Sequence, residues 1–330
     1  MRLTDADNIK IIKENTKEPR RIMNELIKTI DKINHQSNKI FFMKSNCLFH
    51  QSKKTIALFA ITAFISSQIF SQKTGYAPVN GLKMYYEVHG SGKPVVLLHG
   101  AFNTIDMAFG ALIPELSKTR QVIAAEMQGY GRTADIDRPF SFESLADDIA
   151  ALLKYLKIDS ADIFGYSMGG VTAWQIAIRH PEVVRRLVIT SAVYKYEGWT
   201  PETRAILPQL TPEMFAATPI KTEYDKLAPD PKHWTEFINK MKKFITTPYN
   251  FGADKIKAIK SPTLIITADG DGVLPEHAVE MFRLRGGGYM IDFGPAPKTQ
   301  LAILPGTSHI SVMMQKDWLI SMMTPFLDTP

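Results

Sequence analysis

The stretch "FGYSMGG" at residues 164–170 places a single serine, Ser167, between glycines two positions before it and two positions after it. The apolar run "ADIF" leads into this stretch, and the helical pattern "VTAWQIAIRH" follows it. A sharp strand-to-helix turn that strains its central residue leaves no room for a Cβ atom at the flanking positions, where glycine fits. The G-x-S-x-G spacing therefore predicts a nucleophilic serine on such a turn, provided that an acid and a histidine follow later in the chain.

Two later strands end in loops that carry an acid and a histidine. The segment "SPTLIITADGDGVLP" is an apolar strand followed by a loop that contains Asp269 and Asp271. The segment "QLAILPGTSHISVM" is a strand followed by a loop that presents His309. Because parallel strands bring their carboxyl ends to one edge of a sheet, an aspartate of this loop and His309 can converge on Ser167. The chain order serine, aspartate, histidine is the one expected for this arrangement.

An earlier strand leads into a loop that could stabilise negative charge. Residues Val95 to Leu98 run directly into the sequence "HGAF", and a glycine at the end of a buried strand lets the next residues pass close to a reacting carbonyl. The backbone N–H groups of Ala101 and of Met168, which follows the serine, are the candidate oxyanion-hole donors. His99 precedes the serine and adjoins the loop glycine, so we expect it to bond loop backbone rather than act as the base.

From Met84 onwards, short apolar runs alternate with helical stretches such as "SFESLADDIAALLKYLKI". Most of the runs are continuous rather than alternating, which is typical of parallel strands covered on both faces. The order predicts an α/β fold with an open, mostly parallel central sheet flanked by helices. The predicted strands are Met84 to Val88, Val95 to Leu98, Val122 to Ala125, Asp162 to Phe164, Leu187 to Thr190, Leu264 to Thr267 and Leu301 to Leu304.

Residues 192–254 depart from this alternation, because they contain several prolines, helix-like stretches and no strand-like run. We interpret this segment, hereafter the cap, as a small helical insertion into a domain that spans residues 72–330. Its many aromatic residues and methionines favour a lid over the site. The alternative is that they bury the insertion against the sheet, which is the expected role for most of them.

The composition is that of a globular protein, with 45% apolar and 22% charged residues in 330. The formal net charge of +6 arises from the leader, because residues 1–71 hold 12 of the 39 basic residues and 6 of the 33 acidic ones. Charges balance over residues 72–330, so the charge pattern indicates no nucleic-acid partner. The chain also lacks HExxH, paired CxxC and Walker motifs, and we expect no metal or cofactor.

The leader has the pattern of a signal peptide. Lys53 and Lys54 precede the apolar run Ile56 to Ile65, and small and polar residues follow it. The run falls short of the ~20 residues that a membrane span needs. We therefore predict export to the periplasm or the exterior with cleavage near Ser71, and no stable membrane association afterwards. Without cleavage, the apolar run would tether the protein to a membrane.

Two further features of the leader bear on this prediction. Met43 stands where a signal peptide could start, so residues 1–42 are interpreted as an over-extended start; the alternative is a genuine amphipathic N-terminal helix. Cys47 is the only cysteine of the chain and would leave with the signal peptide. A domain of this size can be stabilised by its core without disulfides.

Taken in their order, "HGAF", "EMQGYGRT", "GYSMGG", "ADGDGVLP" and "LPGTSH" resemble the motifs of the α/β-hydrolase superfamily, in its single-domain branch with a small cap. The resemblance covers residues 75–330 and implies an α/β-hydrolase fold. It also implies Ser167 as the nucleophile and His309 as the base. The implied acid is Asp271, which lies where the family motif places an aspartate when counted back from Pro275.

The chain departs from the family pattern at two positions. Ala268 replaces the glycine of the acid motif, and Asp269 lies two residues from Asp271, so Asp269 stays open as an alternative acid. Ser308 stands directly before the histidine, where the family usually has glycine. This exchange alters the loop and leaves the base in place.

These residues predict a serine hydrolase that cleaves a small, moderately hydrophobic ester through an acyl-enzyme, as a carboxylesterase does. Hydrolysis of carbon–carbon bonds, lactones or peptides and perhydrolysis use the same triad and are alternatives. A ligand-binding protein that keeps the pocket and barely turns over is an alternative of another class. The oligomeric state stays open.

Overall fold

The computed structural model describes residues 72–292 and 297–329. Within this part of the chain, eight strands form one sheet. The strands are β1 (Lys73–Val79), β2 (Leu82–His89), β3 (Lys93–Leu98), β4 (Arg120–Ala125), β5 (Ala161–Tyr166), β6 (Val184–Thr190), β7 (Thr263–Gly270) and β8 (Thr299–Ser308).

The strand order is β1-β2-β4-β3-β5-β6-β7-β8. The pairs β1–β2 and β2–β4 are antiparallel, and every pair from β4–β3 to β7–β8 is parallel. The mostly parallel sheet confirms the predicted fold class, and each of the seven predicted runs lies inside an observed strand. The loops after the parallel strands meet at the carboxyl edge of the sheet.

Strand β1 was not predicted, because its sequence "KTGYAPV" has no continuous apolar run. It is an edge strand with alternating exposure, where Pro78 is tolerated because its missing N–H is not needed for a second neighbour. Asn80 and Gly81, with φ of 46° and 84°, form the two-residue turn to β2. An Asn-Gly pair between strands favours such a hairpin, so the turn itself was a usable signal.

Helices connect the strands and cover both faces of the sheet. The α-helices are α1 (Ile105–Phe109), α2 (Ile113–Leu116), α3 (Phe142–Tyr155), α4 (Met168–Arg179), α5 (Pro201–Ile206), α6 (Pro219–Leu227), α7 (Trp234–Thr246), α8 (Ala253–Ala258), α9 (Pro275–Leu284) and α10 (Lys316–Asp328).

Helix α3 shows how the pattern becomes structure. Its N-cap residue Ser141 accepts a hydrogen bond from the backbone N–H of Ser144 at 3.0 Å, which satisfies a free donor of the first turn. Leu145, Ile149 and Leu152 recur at helical spacing and are buried against the sheet. One amphipathic face therefore packs on the core while the other faces solvent.

The sheet separates two apolar cores, and strand β3 contributes to both. Val96 and Leu98 belong to the core that also includes the buried faces of α3, α4 and the cap. Val95 and Leu97 belong to the opposite core, which includes residues of α1 and α10. Burial on both faces explains why the parallel strands are continuous apolar runs, and it gives the carboxyl edge of the sheet a rigid support.

Between β6 and β7 the structure is helical, with α5 to α8 and short 3-10 turns. The predicted signal peptide, its cleavage near Ser71, the start at Met43 and the position of Cys47 lie outside the described residues and stay predictions. Across 72–292 and 297–329, none of the helices has the length and apolar character needed to span a membrane.

Candidate active site

Ser167 lies on the turn between β5 and α4 with φ 53° and ψ −119°, a strained combination for a residue with a side chain. A Cβ atom on Gly165 would collide with the backbone of Gly169, and one on Gly169 would collide with the backbone of Leu98. The two glycines thus allow a turn that projects the serine hydroxyl from the sheet edge. The local geometry is the one that the G-x-S-x-G spacing predicts.

The imidazole of His309 reaches this hydroxyl. Its Nε2 atom lies 2.9 Å from Ser167 Oγ, although the two residues are 142 positions apart in the chain. His309 follows β8, and the loop around it is closed by reciprocal hydrogen bonds between Ser308 and Ser311. Ser308 thus shapes the turn where the family usually has glycine.

Asp271 bonds the other side of the same imidazole, with Oδ1 2.7 Å from His309 Nδ1. Its Oδ2 atom accepts hydrogen bonds from the hydroxyls of Ser191 at 2.5 Å and Thr267 at 2.9 Å, and from the backbone N–H of Ala268 at 3.2 Å. Burial alone raises the pKa of Asp271, but the hydrogen bond and charge of His309 and these donors outweigh it and lower the pKa to about 2. The carboxylate is therefore ionised beside His309.

Asp269 points elsewhere. Its carboxylate is exposed and accepts hydrogen bonds from the backbone N–H groups of Gly306 at 2.8 Å and Thr307 at 3.1 Å. These bonds, that of Gly306 foremost, lower the pKa of Asp269. The structure therefore brings Asp271, and not Asp269, to the imidazole of His309.

The loop after β3 passes directly over the serine. A Cβ atom on Gly100 would lie 3.2 Å from the Cβ atom of Ser167, so only glycine lets the loop approach this closely. Ala101 follows in the same loop, and Met168 begins α4, where backbone N–H groups lack intrahelical partners. Both predicted oxyanion donors therefore lie in segments adjacent to Ser167, and their role stays a prediction.

His99 is fully buried beneath this loop. Its Nδ1 bonds the carbonyl of Gly100 at 2.9 Å, and its Nε2 accepts the backbone N–H of Met127 at 3.2 Å. Burial lowers the pKa of His99 to about 4, which keeps the imidazole neutral. His99 thus holds two loops together through their backbones, as expected.

Four residues that the sequence did not indicate also touch Asp271 or His309. Ser191 and Thr267 hold Asp271, and the rings of Tyr166 and Trp199 lie against His309. A motif search cannot find them, because each is recognised only by what the fold places beside it. Across residues 72–292 and 297–329, no group of three or more His, Cys, Asp and Glu side chains is arranged to hold a metal ion.

Comparison with known proteins places this geometry in a family. A model of the alpha/beta hydrolase fold matches residues 93–230. A 2-hydroxy-6-oxo-2,4-heptadienoate hydrolase of Pseudomonas putida is 40% identical over 110 residues, which cover 32% of this chain and 39% of that protein. The match thus spans less than half of that relative. The human serine hydrolase BPHL is 27% identical over 242 residues, which cover 68% of this chain and 79% of that protein.

A solved structure agrees over most of the chain. The meta-cleavage product hydrolase from Pseudomonas fluorescens IP01 superposes with a TM-score of 0.61 at 24% identity, covering 78% of this chain and 97% of that one. The sheet and its flanking helices thus define an α/β-hydrolase fold. The family model and the relatives support the α/β-hydrolase superfamily that the motifs predicted.

Proposed function

We propose that this protein is a serine hydrolase that cleaves a small, moderately hydrophobic ester through an acyl-enzyme. One observation carries the proposal: the imidazole of His309 lies between the hydroxyl of Ser167, at 2.9 Å, and the carboxylate of Asp271, at 2.7 Å. A hydroxyl, an imidazole and an ionised carboxylate in this order are what nucleophilic catalysis by serine requires.

In acylation, Ser167 Oγ attacks the ester carbonyl while its proton passes to His309 Nε2. Asp271 bonds Nδ1–H, so it orients the ring and stabilises the imidazolium. The carbonyl oxygen becomes an oxyanion, for which the N–H groups of Ala101 and Met168 are the proposed donors. When the tetrahedral intermediate collapses, the C–O bond breaks and His309 returns the proton to the leaving alkoxide. Water then attacks the acyl-enzyme by the same route and releases the acid.

The apolar surroundings favour an uncharged substrate. Around the catalytic residues lie Trp199, whose ring centroid is 5.7 Å from that of His309, and Phe102, whose ring is 5.0 Å from Phe215 of the cap. Apolar and aromatic walls gain free energy from each methylene that they bury. An ester of modest hydrophobicity suits such walls better than a charged substrate.

A second candidate function is hydrolysis of a carbon–carbon bond in a hydroxy-oxo-dienoate. The Pseudomonas putida relative is named for a substrate of this class, and it is 40% identical over the part that matches. The same triad could serve this reaction, as it could serve lactones, peptides or perhydrolysis. Turnover of a dienoate can be measured as the loss of its conjugated absorbance. Turnover of the dienoate together with no turnover of esters would favour this candidate.

The decisive test is turnover of 4-nitrophenyl acetate. We expect measurable release of nitrophenolate, and Ser167→Ala should abolish it because the nucleophile is missing. Ser321→Ala removes an exposed hydroxyl on α10 and serves as the matched control. Absence of turnover of both the esters and the dienoate would favour the ligand-binding alternative, and equal turnover in Ser167→Ala would contradict the assignment of the nucleophile.

The acyl preference tests the role of the cap. Across acetyl to hexanoyl esters, kcat/KM should rise about fourfold for each methylene until the pocket is full, since burying a methylene contributes about 0.8 kcal/mol. Steady-state kinetics of a 4-nitrophenyl ester series measure this. Equal kcat/KM along the series would count against an apolar pocket beneath the cap.

A further inference from the structure

The hydrogen bond between His309 Nε2 and Ser167 does not persist through the reaction, because Ser167 Oγ leaves the imidazole when it attacks the substrate. The bond between His309 Nδ1 and Asp271 remains, and it constrains the ring less than the two bonds together. Packing contacts with the ring can then keep Nε2 directed at Ser167. The side chain of His309 is 30% exposed, so part of its surface is covered by neighbouring residues.

Two aromatic rings supply such contacts from different parts of the fold. Tyr166, at the end of the nucleophile strand β5, has its ring centroid 5.5 Å from that of His309 and donates its hydroxyl to the carbonyl of His309 at 2.9 Å. Trp199, at the start of the cap, lies at 5.7 Å with an interplanar angle of 72°. The second contact is an edge-to-face geometry that aromatic pairs favour.

Trp199 is itself held against the loop that carries Asp271. The backbone N–H of Thr200 donates to the carbonyl of Gly272 at 2.7 Å, and that of Leu274 donates to the carbonyl of Gly198 at 2.9 Å. Trp199 and Val273 thus face each other in a short antiparallel pairing. The indole is 8% exposed, so its position is fixed by packing as well as by the backbone.

A second set of bonds fixes the segment just before Trp199. The Tyr194 hydroxyl and the Lys195 ammonium donate to Oε1 of Glu280 on α9, at 2.5 Å and 2.7 Å. Oε2 of the same carboxylate bonds Nδ1 of the buried His277 at 2.9 Å. The start of the cap is therefore attached at two places to the segment that follows β7. These attachments hold the indole of Trp199 in a defined position.

We propose that Trp199 is a positioning residue for the base: its indole holds the imidazole plane of His309 so that Nε2 stays directed at Ser167. The cap then contributes to catalytic geometry as well as to substrate binding. The inference rests on the proposed serine-hydrolase function. It goes beyond that function because it assigns to a cap residue an effect on the reactivity of Ser167 that is independent of the substrate.

The test measures that reactivity with a covalent probe of the nucleophile rather than with an acyl substrate. Diisopropyl fluorophosphate phosphorylates Ser167 with loss of fluoride, and its second-order inactivation rate reports the Ser167–His309 pair. Trp199→Met should lower this rate about tenfold, the upper range for an aromatic pair, while Trp199→Phe retains a ring and should stay within about threefold of wild type. With 4-nitrophenyl acetate, the same loss should fall on kcat rather than KM.

Trp234→Met is the matched control for cap packing. Trp234 is equally buried, at 6% exposure, and contacts Phe215, Tyr224 and Phe237 of the cap. This variant should lower the melting temperature and leave the inactivation rate within about twofold. Equal rate losses in Trp199→Met and Trp234→Met, or no loss in Trp199→Met, would overturn the inference.

A backbone variant covers the case in which Trp199→Met does not fold. Thr200 has φ −60° and Trp199 has φ −75° and ψ 144°, so proline fits at position 200 and removes only the N–H bond to Gly272 together with the Thr200 side chain. Thr200→Ala removes the side chain alone. The inactivation rate should fall in Thr200→Pro relative to Thr200→Ala, and equal rates would contradict the proposal.

The outcomes also separate this inference from the proposed function. If wild-type Ser167 reacts with diisopropyl fluorophosphate but no ester is turned over, the substrate class is wrong, and the variants still decide the role of Trp199. If Ser167 does not react at all, the serine-hydrolase proposal is wrong and the inference falls with it.

Discussion

Asp271 and Glu126 are two buried carboxylates that follow parallel strands at the carboxyl edge of the sheet, and their environments act on them in opposite directions. Glu126 follows β4, is fully buried, and bonds the guanidinium of Arg132 at 2.8 Å and its backbone N–H at 2.5 Å. Burial dominates and raises the pKa of Glu126 to about 7. Around Asp271, the imidazole of His309 and the hydroxyl donors prevail, and the pKa of Asp271 is lowered to about 2.

The difference shows that burial alone does not decide the charge of a carboxylate. Asp271 has donors on both oxygens, including two hydroxyls and the imidazole, and each favours the ionised form. Glu126 has one cationic partner, and the nearby Glu87 opposes its ionisation. Asp271, which lies beside His309, is thus surrounded by hydrogen-bond donors, whereas Glu126 has fewer partners to offset its burial.

The two carboxylates give folding stability opposite dependences on pH. The folded-state pKa of Asp271 lies below its usual 3.8, so its contribution is present above pH 3.8 and is lost as the pH falls through about 2. The folded-state pKa of Glu126 lies above its usual 4.5, so its contribution is present below pH 4.5 and is lost as the pH rises through about 7. Replacing either carboxylate by the matching amide removes its contribution to the pH dependence of stability.

The largest expected effect follows from neutralising Asp271. Asp271→Asn should lower kcat by roughly 10³ to 10⁴, because the amide favours the wrong tautomer of His309 and cannot stabilise the imidazolium. Steady-state kinetics with 4-nitrophenyl acetate measure this, and thermal melts exclude misfolding. Asp269→Asn is the matched control, which should cost far less because Asp269 bonds only loop amides. If the large loss follows Asp269 instead, the acid assignment is wrong.

Neutralising Glu126 should change the free energy of unfolding rather than the reactivity of Ser167. Glu126→Gln should flatten the pH dependence of the free energy of unfolding between pH 4.5 and 7, where wild type loses roughly 3 kcal/mol because the carboxyl ionises in the unfolded state and stays protonated in the folded state. Urea unfolding at several pH values measures the slope. Wild type and variant curves that stay parallel across this range would show that Glu126 does not titrate there.

The smallest effect is expected from removing one donor from Asp271. Ser191→Ala should raise the pKa of Asp271 and lower kcat about tenfold, in proportion to one lost charge-assisted hydrogen bond. Ser191 has φ 51°, a conformation that strains a residue with a side chain. Ser191→Gly relieves this strain, so it separates the effect of the strain on stability from the effect of the lost hydroxyl on activity. Both variants should lose the same activity, while the glycine variant melts at the higher temperature. Full activity in Ser191→Gly would contradict the positioning of Asp271 by this hydroxyl.

Much of this arrangement could be predicted from the sequence, because it depends on local patterns. The glycines around Ser167 are demanded by the turn itself, and the runs before Asp271 and His309 are continuous because both faces of their strands are buried. Parallel strands then bring their loops to one edge without further information. The choice between Asp269 and Asp271 needed the family resemblance, since both aspartates follow the same apolar run and lie only two residues apart.

The remaining contacts depend on distances that no local pattern encodes. Ser191 reaches Asp271 across 80 residues and uses a left-handed backbone conformation that is not visible in the sequence around it. Trp199 is one of several aromatic residues of the cap, and only the fold shows that its ring lies against His309 and that its backbone pairs with Val273. The edge strand β1 lacked an apolar run because only one face of it is buried.

The position of His309 has a consequence for how the molecule matures. Ser167 and His309 are separated by 142 residues, and the histidine follows the last strand, so the hydroxyl and the imidazole meet only after β8 has joined the sheet. Contacts between distant parts of a chain form late, because loop closure opposes them. A nascent chain therefore cannot bring Ser167 and His309 together until β8 and His309 have left the ribosome, and in refolding their contact reports completion of the sheet rather than its beginning.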